Sequence, residues 1–318
     1  MRNHRKRFGC SVFLLTAVIF AFIFKSGSAA RIGRLLKTAA SGFGASGPTI
    51  TLAQDPSVSI PSLHSPCAVL VRLNDHSVLM QKQSEKKIYP ASLTKMMTVI
   101  IAIENLPDLQ QKIELSPSLF QPLYRADASM AGFQPGEKVR EIDLLYGAML
   151  PSGAECCIGL ANKISGSEQE FAEKMNRKAK ELGMTHTHFS NSTGLQDENH
   201  YTTVKDLSAL LGYALQNQTF RDIFTSSRHS TAPTNMHPDG VTFQSTLFQN
   251  LEDQAIPGGE ILGGKTGYTE EAGLCLASLA RKNGQEYTLV TASAKGDHKS
   301  EQYDIDDACE VYRALGQN

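Results

Sequence analysis

The chain has 318 residues, of which 41% are hydrophobic and 20% charged, a composition that excludes disorder of the whole chain and a length that suits one large or two small domains. The formal net charge is −1, but residues 1–30 carry five basic and no acidic residues, so the remainder has 26 basic against 32 acidic residues. No basic surplus is left there to neutralise phosphates, which disfavours a protein that binds nucleic acid.

The N-terminus has the layout of an export signal. A basic cluster from Arg2 to Arg7 precedes an apolar run from Cys10 to Phe24, and small residues follow up to Ala30. This order is typical of a secretory signal peptide cleaved after Ala30. The alternative is an uncleaved signal anchor, with the basic end in the cytoplasm and the body outside. We therefore expect residues 1–30 to be a signal peptide or signal anchor, and the protein to be extracytoplasmic, either membrane-anchored or secreted.

The rest of the chain divides into a spacer and a folded domain. Residues 31–65 are rich in Ser, Gly, Ala and Pro, which predicts a flexible spacer, and the domain is expected over 66–318. Alternation predicts a β-hairpin of Ala68–Leu73 and Ser77–Gln81. Helical patterns follow over 139–149, 155–164, 168–182 and 203–216, strands over 263–266, 273–280 and 287–294, and a helix over 304–315. Because strands come first and last, we predict one sheet built from both chain ends with an inserted helical lobe.

A serine and a lysine stand three residues apart at the start of a further predicted helix. Ser92 and Lys95 lie in the segment YPASLTKMMT, and residues i and i+3 of a helix share one face. A serine hydroxyl is a weak nucleophile at neutral pH and needs an adjacent base, which Lys95 could supply. The pair alone is weak evidence, because two residues at this spacing recur by chance in long chains.

Two later motifs make the pattern specific. Pro151-Ser152-Gly153 joins two predicted helices, and Gly263-Gly264-Lys265-Thr266-Gly267 contains a K-T-G triplet. The order S-x-x-K, serine loop, K-T-G is that of serine penicillin-recognising enzymes. The segments YPASLTKMMT, AKELGMTHTHFSNSTGL, HYTTVKDLSALLGYAL and GGKTGYTEEAGLCLASLA resemble the D-alanyl-D-alanine carboxypeptidases, the low-molecular-mass penicillin-binding proteins, and this resemblance covers about residues 67–294.

The resemblance implies an α/β penicillin-recognising fold, like that of β-lactamases and transpeptidases. It implies an enzyme that removes the last D-alanine from peptidoglycan stem peptides through an acyl-enzyme, binds β-lactams covalently and needs no cofactor. Ser92 resembles the nucleophile, Lys95 the base and Ser152 the serine that relays a proton to the leaving amine. Lys265 and Thr266 resemble the residues that bind the substrate carboxylate. Gly267 would let the substrate backbone approach the strand, and the backbone N–H groups of Ser92 and Tyr268 would form the oxyanion hole.

One position departs from the family pattern. The second motif of the family is S-x-N, whereas Ala154 stands at the Asn position here. Alanine offers no hydrogen bond to a substrate amide, which leaves a non-catalytic cell-wall-binding protein as an alternative. A serine β-lactamase is a weaker alternative, because the E-x-x-x-N pattern of class A enzymes is not matched: the residue four before Asn176 is Ala172.

Other titratable residues are expected to be structural. The six cysteines are too sparse for a disulfide scaffold and are expected to be buried thiols, with one bridge among Cys67, Cys275 and Cys309 left open. His186 and His188 lack a second ligand pair at a zinc spacing, so no metal site is predicted. Glu137 and Glu141 are expected to be solvated charges at a helix start.

Overall fold

The central sheet is built from both ends of the chain, as the sequence predicts. The computed structural model describes residues 51–52 and 62–316. In chain order its strands are β1 (Thr51–Leu52), β2 (Cys67–Arg72), β3 (Ser77–Lys82), β4 (Lys112–Glu114), β5 (Lys138–Arg140), β6 (Arg228–Ser230), β7 (Thr242–Gln244), β8 (Ala255–Ile256), β9 (Gly259–Thr269), β10 (Gly273–Lys282) and β11 (Gln285–Ala294). The large sheet has the order β1-β3-β2-β11-β10-β9-β8 and is antiparallel apart from the β1–β3 pair.

Strand β2 illustrates why both faces of this sheet are covered. Its alternate residues Cys67, Val69 and Val71 belong to the core beneath the inserted helices, whereas Ala68 and Leu70 belong to a second core. Successive side chains of a strand point to opposite faces, so a strand buried on both sides reads as a continuous apolar run. The second core is closed by the apolar side of the C-terminal helix, which packs against β10 and β11.

The helical lobe lies in the chain between β3 and β8. The α-helices are α1 (Lys95–Asn105), α2 (Phe120–Arg125), α3 (Glu141–Met149), α4 (Ala154–Ser165), α5 (Glu168–Glu181), α6 (Val204–Ala214), α7 (Gln218–Phe224), α8 (Thr246–Asn250) and, after the sheet, α9 (Tyr303–Ala314). Short 3-10 helices, Ala91–Thr94 and Pro117–Leu119, precede α1 and α2. The predicted hairpin, strands and longer helices are confirmed to within a few residues, whereas α2, α7 and α8 were not predicted. The helix predicted from residue 139 begins at Glu141, because residues 138–140 pair with β4.

Two acidic residues that were expected to be solvated are buried. Glu137 and Glu141 are 0% and 1% exposed. One carboxylate oxygen of Glu137 accepts a hydrogen bond from the backbone N–H of Gln134, and the other accepts from Thr234 and contacts the ring of His237. The expectation was wrong for both residues, and for Glu137 the reason is that the loop of Thr234 and His237, distant in sequence, covers it, which the local pattern cannot reveal.

The last residues of the predicted spacer belong to the folded domain. Leu63 and Ser65 are buried, and the backbone N–H groups of His64 and Ser65 both donate to the carboxylate of Asp307 on α9, each at 2.8 Å. Most of the predicted signal segment and spacer, residues 1–50 and 53–61, lies outside the described residues. Within the described part, no helix combines the length and apolar character needed to span a membrane.

Four of the five cysteines within the described residues are buried thiols, and Cys309 is partly buried. The five within the described residues are free, so the bridge left open among Cys67, Cys275 and Cys309 is not formed. Cys156 and Cys157 are fully buried on α4, where burial raises the pKa of Cys157 to about 12. Both thiols therefore serve as small apolar residues beneath the start of α1 and not as nucleophiles.

Candidate active site

The Ser92–Lys95 pair is assembled at the junction of a 3-10 helix and α1. Ser92 lies in the 3-10 turn and Lys95 is the first residue of α1, so the side chains meet, with Lys95 Nζ 2.8 Å from Ser92 Oγ. Ala91, just before the serine, has a φ of 45°, an uncommon conformation for a residue with a side chain. Strain of this kind concentrates at functional sites, where the surrounding structure must hold it in place.

The environment of Lys95 favours its neutral amine. The side chain is buried, and burial lowers the pKa of Lys95, although the nearby Cys157 and Glu155 partly oppose the shift. Lys95 Nζ also donates a hydrogen bond to the carbonyl oxygen of Thr193 at 2.7 Å. A neutral amine can continue to donate this hydrogen bond to Thr193 and can accept the proton of Ser92 with its lone pair. The arrangement therefore suits a general base for the serine.

Ser152 and Lys265 form a second hydroxyl–amine pair. Lys265 Nζ donates to Ser152 Oγ at 3.0 Å and to the carbonyl oxygen of Thr266 at 2.7 Å. Ser152 has a φ of 67°, which turns the chain sharply between α3 and α4. Lys265 is 0% exposed, and burial together with the charge on Lys95 lowers the pKa of Lys265 well below its ordinary value. Because both amines are buried, it is unfavourable for Lys95 and Lys265 to carry a positive charge at the same time.

Gly267 brings strand β9 against the nucleophile. A Cβ on Gly267 would lie 3.0 Å from the backbone nitrogen of Ser92 and 3.3 Å from the Cβ of Ala91, so only glycine fits without a shift. Tyr268 is the next residue of the strand and lines the same cavities as Ser92, and an oxyanion hole made by the two backbone N–H groups stays a prediction. From Gly263 to Thr269, β9 pairs with β10 on one edge, and no strand covers its other edge within the described residues. An extended peptide could pair with that edge.

Two cavities meet at the serine. The lining of the larger, about 530 Å³, includes Ser92, Lys95, Ala154, Thr193 and Tyr268. The smaller, about 220 Å³, contains Ser92, Ser152, Thr266, Gly267 and Tyr268. Six of the seven predicted site residues thus lie on these walls. Lys265 does not line either cavity and lies behind Ser152, so its charge would reach a ligand through the serine hydroxyl.

Three residues that support the site were not predicted from the sequence: Ser129, Glu155 and Thr246. The carboxylate of Glu155 accepts hydrogen bonds from the backbone N–H groups of Ala131 and Gly132 at 2.7 and 2.9 Å, which holds the loop that places Ser129 on both cavity walls. Thr246 shares a 2.6 Å hydrogen bond with Thr266. The only sequence signal for Glu155 was a carboxylate in the first turn of a helix, which does not identify the loop that it binds.

Gly194 lets the loop that carries Thr193 approach the serine closely. Its φ is 85°, and a Cβ there would lie 1.9 Å from the carbonyl oxygen of Ala91. The loop carrying Thr193 and Gly194 therefore packs directly on the turn that holds Ser92. This contact explains how Thr193 reaches the amine of Lys95.

Comparison with known proteins agrees with this site. A family model described as D-alanyl-D-alanine carboxypeptidase matches residues 54–296. The chain belongs to this family. It is 33% identical over 242 residues to the D-alanyl-D-alanine carboxypeptidase DacF of Bacillus subtilis, covering 71% of this chain and 57% of the relative. It is 31% identical over 217 residues to the D-alanyl-D-alanine carboxypeptidase of Streptomyces sp. strain K15, covering 66% of this chain and 74% of the relative.

The fold of the family is also found among solved structures. The Streptomyces K15 DD-transpeptidase superposes with a TM-score of 0.71 and 25% identity, covering 81% of this chain and 98% of that chain. Family membership confirms the resemblance carried by the three motifs, and the superposition confirms the penicillin-recognising α/β fold with its antiparallel sheet. The chain spans little more than half the length of the Bacillus relative.

Proposed function

We propose that this protein is a serine D,D-carboxypeptidase that removes the terminal D-alanine from peptidoglycan stem peptides. The observation that carries the proposal is the pair of contacts in one site, Lys95 Nζ to Ser92 Oγ at 2.8 Å and Lys265 Nζ to Ser152 Oγ at 3.0 Å. The names of the relatives point to the same substrate class. Because Ser92 would also accept the acyl group of a β-lactam, β-lactams would be covalent inhibitors.

The reaction would use each side chain in turn. Neutral Lys95 takes the proton of Ser92, whose oxygen attacks the carbonyl carbon of the penultimate D-alanine. The backbone N–H groups of Ser92 and Tyr268 stabilise the oxyanion. Ser152 relays the proton that Lys95 has taken to the leaving amine, the C–N bond breaks, and an ester on Ser92 and a neutral Lys95 remain. Water then hydrolyses this ester with Lys95 as the base, which regenerates the serine.

The substrate carboxylate would bind near the hydroxyl groups of Ser152 and Thr266. Lys265 supports this binding from behind, since a nearby carboxylate favours the protonated amine. Its fully buried position suits a charge that acts through Ser152 better than one that touches the substrate. Ala154 leaves one hydrogen bond to the substrate unmade, worth about 0.5–1.5 kcal/mol net, which is a loss of rate and not of the reaction itself.

Two assays test the activity and the nucleophile together. A stem pentapeptide ending in D-Ala-D-Ala should lose one D-alanine, followed by mass spectrometry, and fluorescent penicillin should label the protein. Both activities should vanish in Ser92→Ala and persist in Ser118→Ala, a change at an exposed serine. Labelling without D-alanine release would favour the non-catalytic binding protein. Equal labelling of Ser92→Ala would refute the nucleophile.

We also propose that the N-terminal segment holds the protein at the outer face of the membrane. The basic cluster and the apolar run from Cys10 to Phe24 support an uncleaved anchor. Intact-mass measurement of the native protein decides between anchor and signal peptide. A mature chain that begins at Arg31 and is free in the medium would overturn the anchor.

A further inference from the structure

Ser129 lies where the two cavities meet at the nucleophile. It is an exposed residue that lines both cavities, together with Ser92, Tyr268 and His298. Within the part of the chain that the structure describes, Ser129 forms a hydrogen bond only through its backbone carbonyl oxygen, which accepts from the N–H of Ala154 at 2.8 Å. Its hydroxyl group is therefore open to solvent and available to a ligand.

The loop that carries Ser129 is fixed to the start of α4. Oε1 of Glu155 accepts hydrogen bonds from the backbone N–H groups of Ala131 and Gly132 at 2.7 and 2.9 Å. A Cβ on Gly153 would lie 2.6 Å from the Cβ of Ala131, so the two segments are in direct contact. These contacts set the position of Ser129, and none of them uses its side chain.

The larger cavity is the space left for the acyl part of a substrate. The terminal carboxylate would bind near Ser152 and Thr266 in the smaller cavity, and the scissile carbonyl would lie at Ser92. The peptide before the scissile bond would then extend into the larger cavity, whose volume is about 530 Å³. Ala154 lies on the wall of this cavity, and its methyl group offers no donor to the carbonyl oxygen of a peptide amide.

Several other polar side chains of the larger cavity cannot supply this donor. Asp127 and Glu270 line it, but an ionised carboxylate only accepts hydrogen bonds. The hydroxyl groups of Thr193 and Thr269 already donate to neighbouring side-chain oxygens, at 3.1 and 3.4 Å. Each of these two hydroxyl groups also accepts from a backbone N–H, so both are fully engaged.

Two further donors of the larger cavity contact strand β9. The ring of His298 packs edge-on against Tyr268, with the ring centroids 4.8 Å apart, and the amide oxygen of Gln196 accepts a hydrogen bond from the end of β9. Within the described residues, neither His298 nor Gln196 forms a hydrogen bond to the turn that carries Ala154. The hydroxyl of Ser129 is thus the free donor next to that position.

We propose that Ser129 is a substrate-binding residue whose hydroxyl donates a hydrogen bond to the carbonyl oxygen of the amide on the acyl side of the scissile bond. The inference rests on the proposed function, because that function decides which cavity holds the acyl part. An Asn side chain at position 154 would offer both a donor and an acceptor, whereas a hydroxyl placed beside it supplies one donor. Ser129 therefore replaces part of what Ala154 lacks, and the second hydrogen bond to the substrate stays unmade.

The test compares the acylation of Ser92 by two penicillins. Benzylpenicillin carries a side-chain amide whose carbonyl oxygen corresponds to that of the substrate, whereas 6-aminopenicillanic acid has the same ring system with a free amine in its place. Ser129→Ala removes the hydroxyl and keeps the backbone carbonyl that binds Ala154. We expect Ser129→Ala to slow acylation by benzylpenicillin roughly threefold to tenfold, as the loss of one neutral hydrogen bond would. The rate with 6-aminopenicillanic acid should stay unchanged.

The matched control is Ser118→Ala. Ser118 is an exposed serine in the 3-10 helix before α2 and lines neither cavity, so both rates should equal those of the wild type. An unchanged rate with benzylpenicillin in Ser129→Ala would overturn the proposal. Equal slowing of both penicillins would also overturn it, because a displaced loop and not a lost contact to the amide would then be the cause. Failure to release D-alanine from a stem peptide would instead refute the proposed function, whereas the ratio of the two acylation rates would still report on Ser129.

Discussion

The buried imidazole of His200 should make the stability of the domain depend on pH. His200 is 2% exposed, and its Nδ1 accepts a hydrogen bond from the backbone N–H of Ser190 at 3.0 Å. Its Nε2 must then carry the proton, which it donates to Thr94 Oγ1 at 2.7 Å. The ring is thus held neutral beside the turn that carries Ser92, and burial lowers the pKa of His200 to about 4.

The sign and size follow from linkage. The unfolded chain binds a proton at an ordinary histidine pKa of about 6.5, whereas the folded state resists it until about pH 4. Stability is therefore fully present above pH 6.5 and is lost as pH falls towards 4. Between pH 7 and pH 5 this one group should remove about 2 kcal/mol from the free energy of unfolding.

Urea unfolding of the wild type and of His200→Gln at pH 7 and pH 5 measures the effect. Every other titrating group is common to both proteins, so the difference between their unfolding free energies isolates His200. That difference should shrink by about 2 kcal/mol on going from pH 7 to pH 5. Parallel stability curves, or a difference that grows at low pH, would refute the neutral, doubly hydrogen-bonded ring.

Three further predictions concern the site. The rate of Ser92 acylation by penicillin should fall as pH decreases, because Lys95 must be neutral, and stopped-flow profiles should give an apparent pKa below the ordinary lysine value of 10.5; a rate that is still rising through pH 10.5 would contradict this. Gly267→Ala should slow acylation by roughly tenfold to hundredfold with an unchanged circular dichroism spectrum, since its Cβ would crowd the Ser92 nitrogen; wild-type rates would show that the edge tolerates a side chain. Ala154→Asn should raise carboxypeptidase activity severalfold, for about 0.5–1.5 kcal/mol of regained hydrogen bond; unchanged activity in a folded variant would mean that other groups have taken over the role.

Local spacing was enough to predict that the side chains of Ser92 and Lys95 meet. Ser92 and Lys95 meet because a helical turn aligns residues three apart, and this geometry holds even though the turn is 3-10 before α1 begins. The long apolar runs of β2 and β10 likewise identify strands covered on both faces. Local spacing could not predict burial by segments that are distant in sequence. Polar residues such as Glu137, Glu155 and His200 are expected at the surface, but all three are buried in the structure.

The different positions of Lys265 and Thr266 could, in contrast, be deduced from strand periodicity. Neighbouring residues of a strand point to opposite faces. A Cβ on Gly263 would contact the end of α7 and one on Gly267 would contact Ser92, whereas one on Gly264 would contact Leu247 on α8. From Gly263 to Gly267 the odd-numbered residues of β9 therefore face the helical lobe, where the amine of Lys265 is buried against Ser152. Thr266 faces the side of α8 and α9, where its hydroxyl contacts Thr246. Two adjacent residues of one motif are thus placed differently: Thr266 lines the smaller cavity, whereas Lys265 lies behind its wall and would act on a ligand through Ser152.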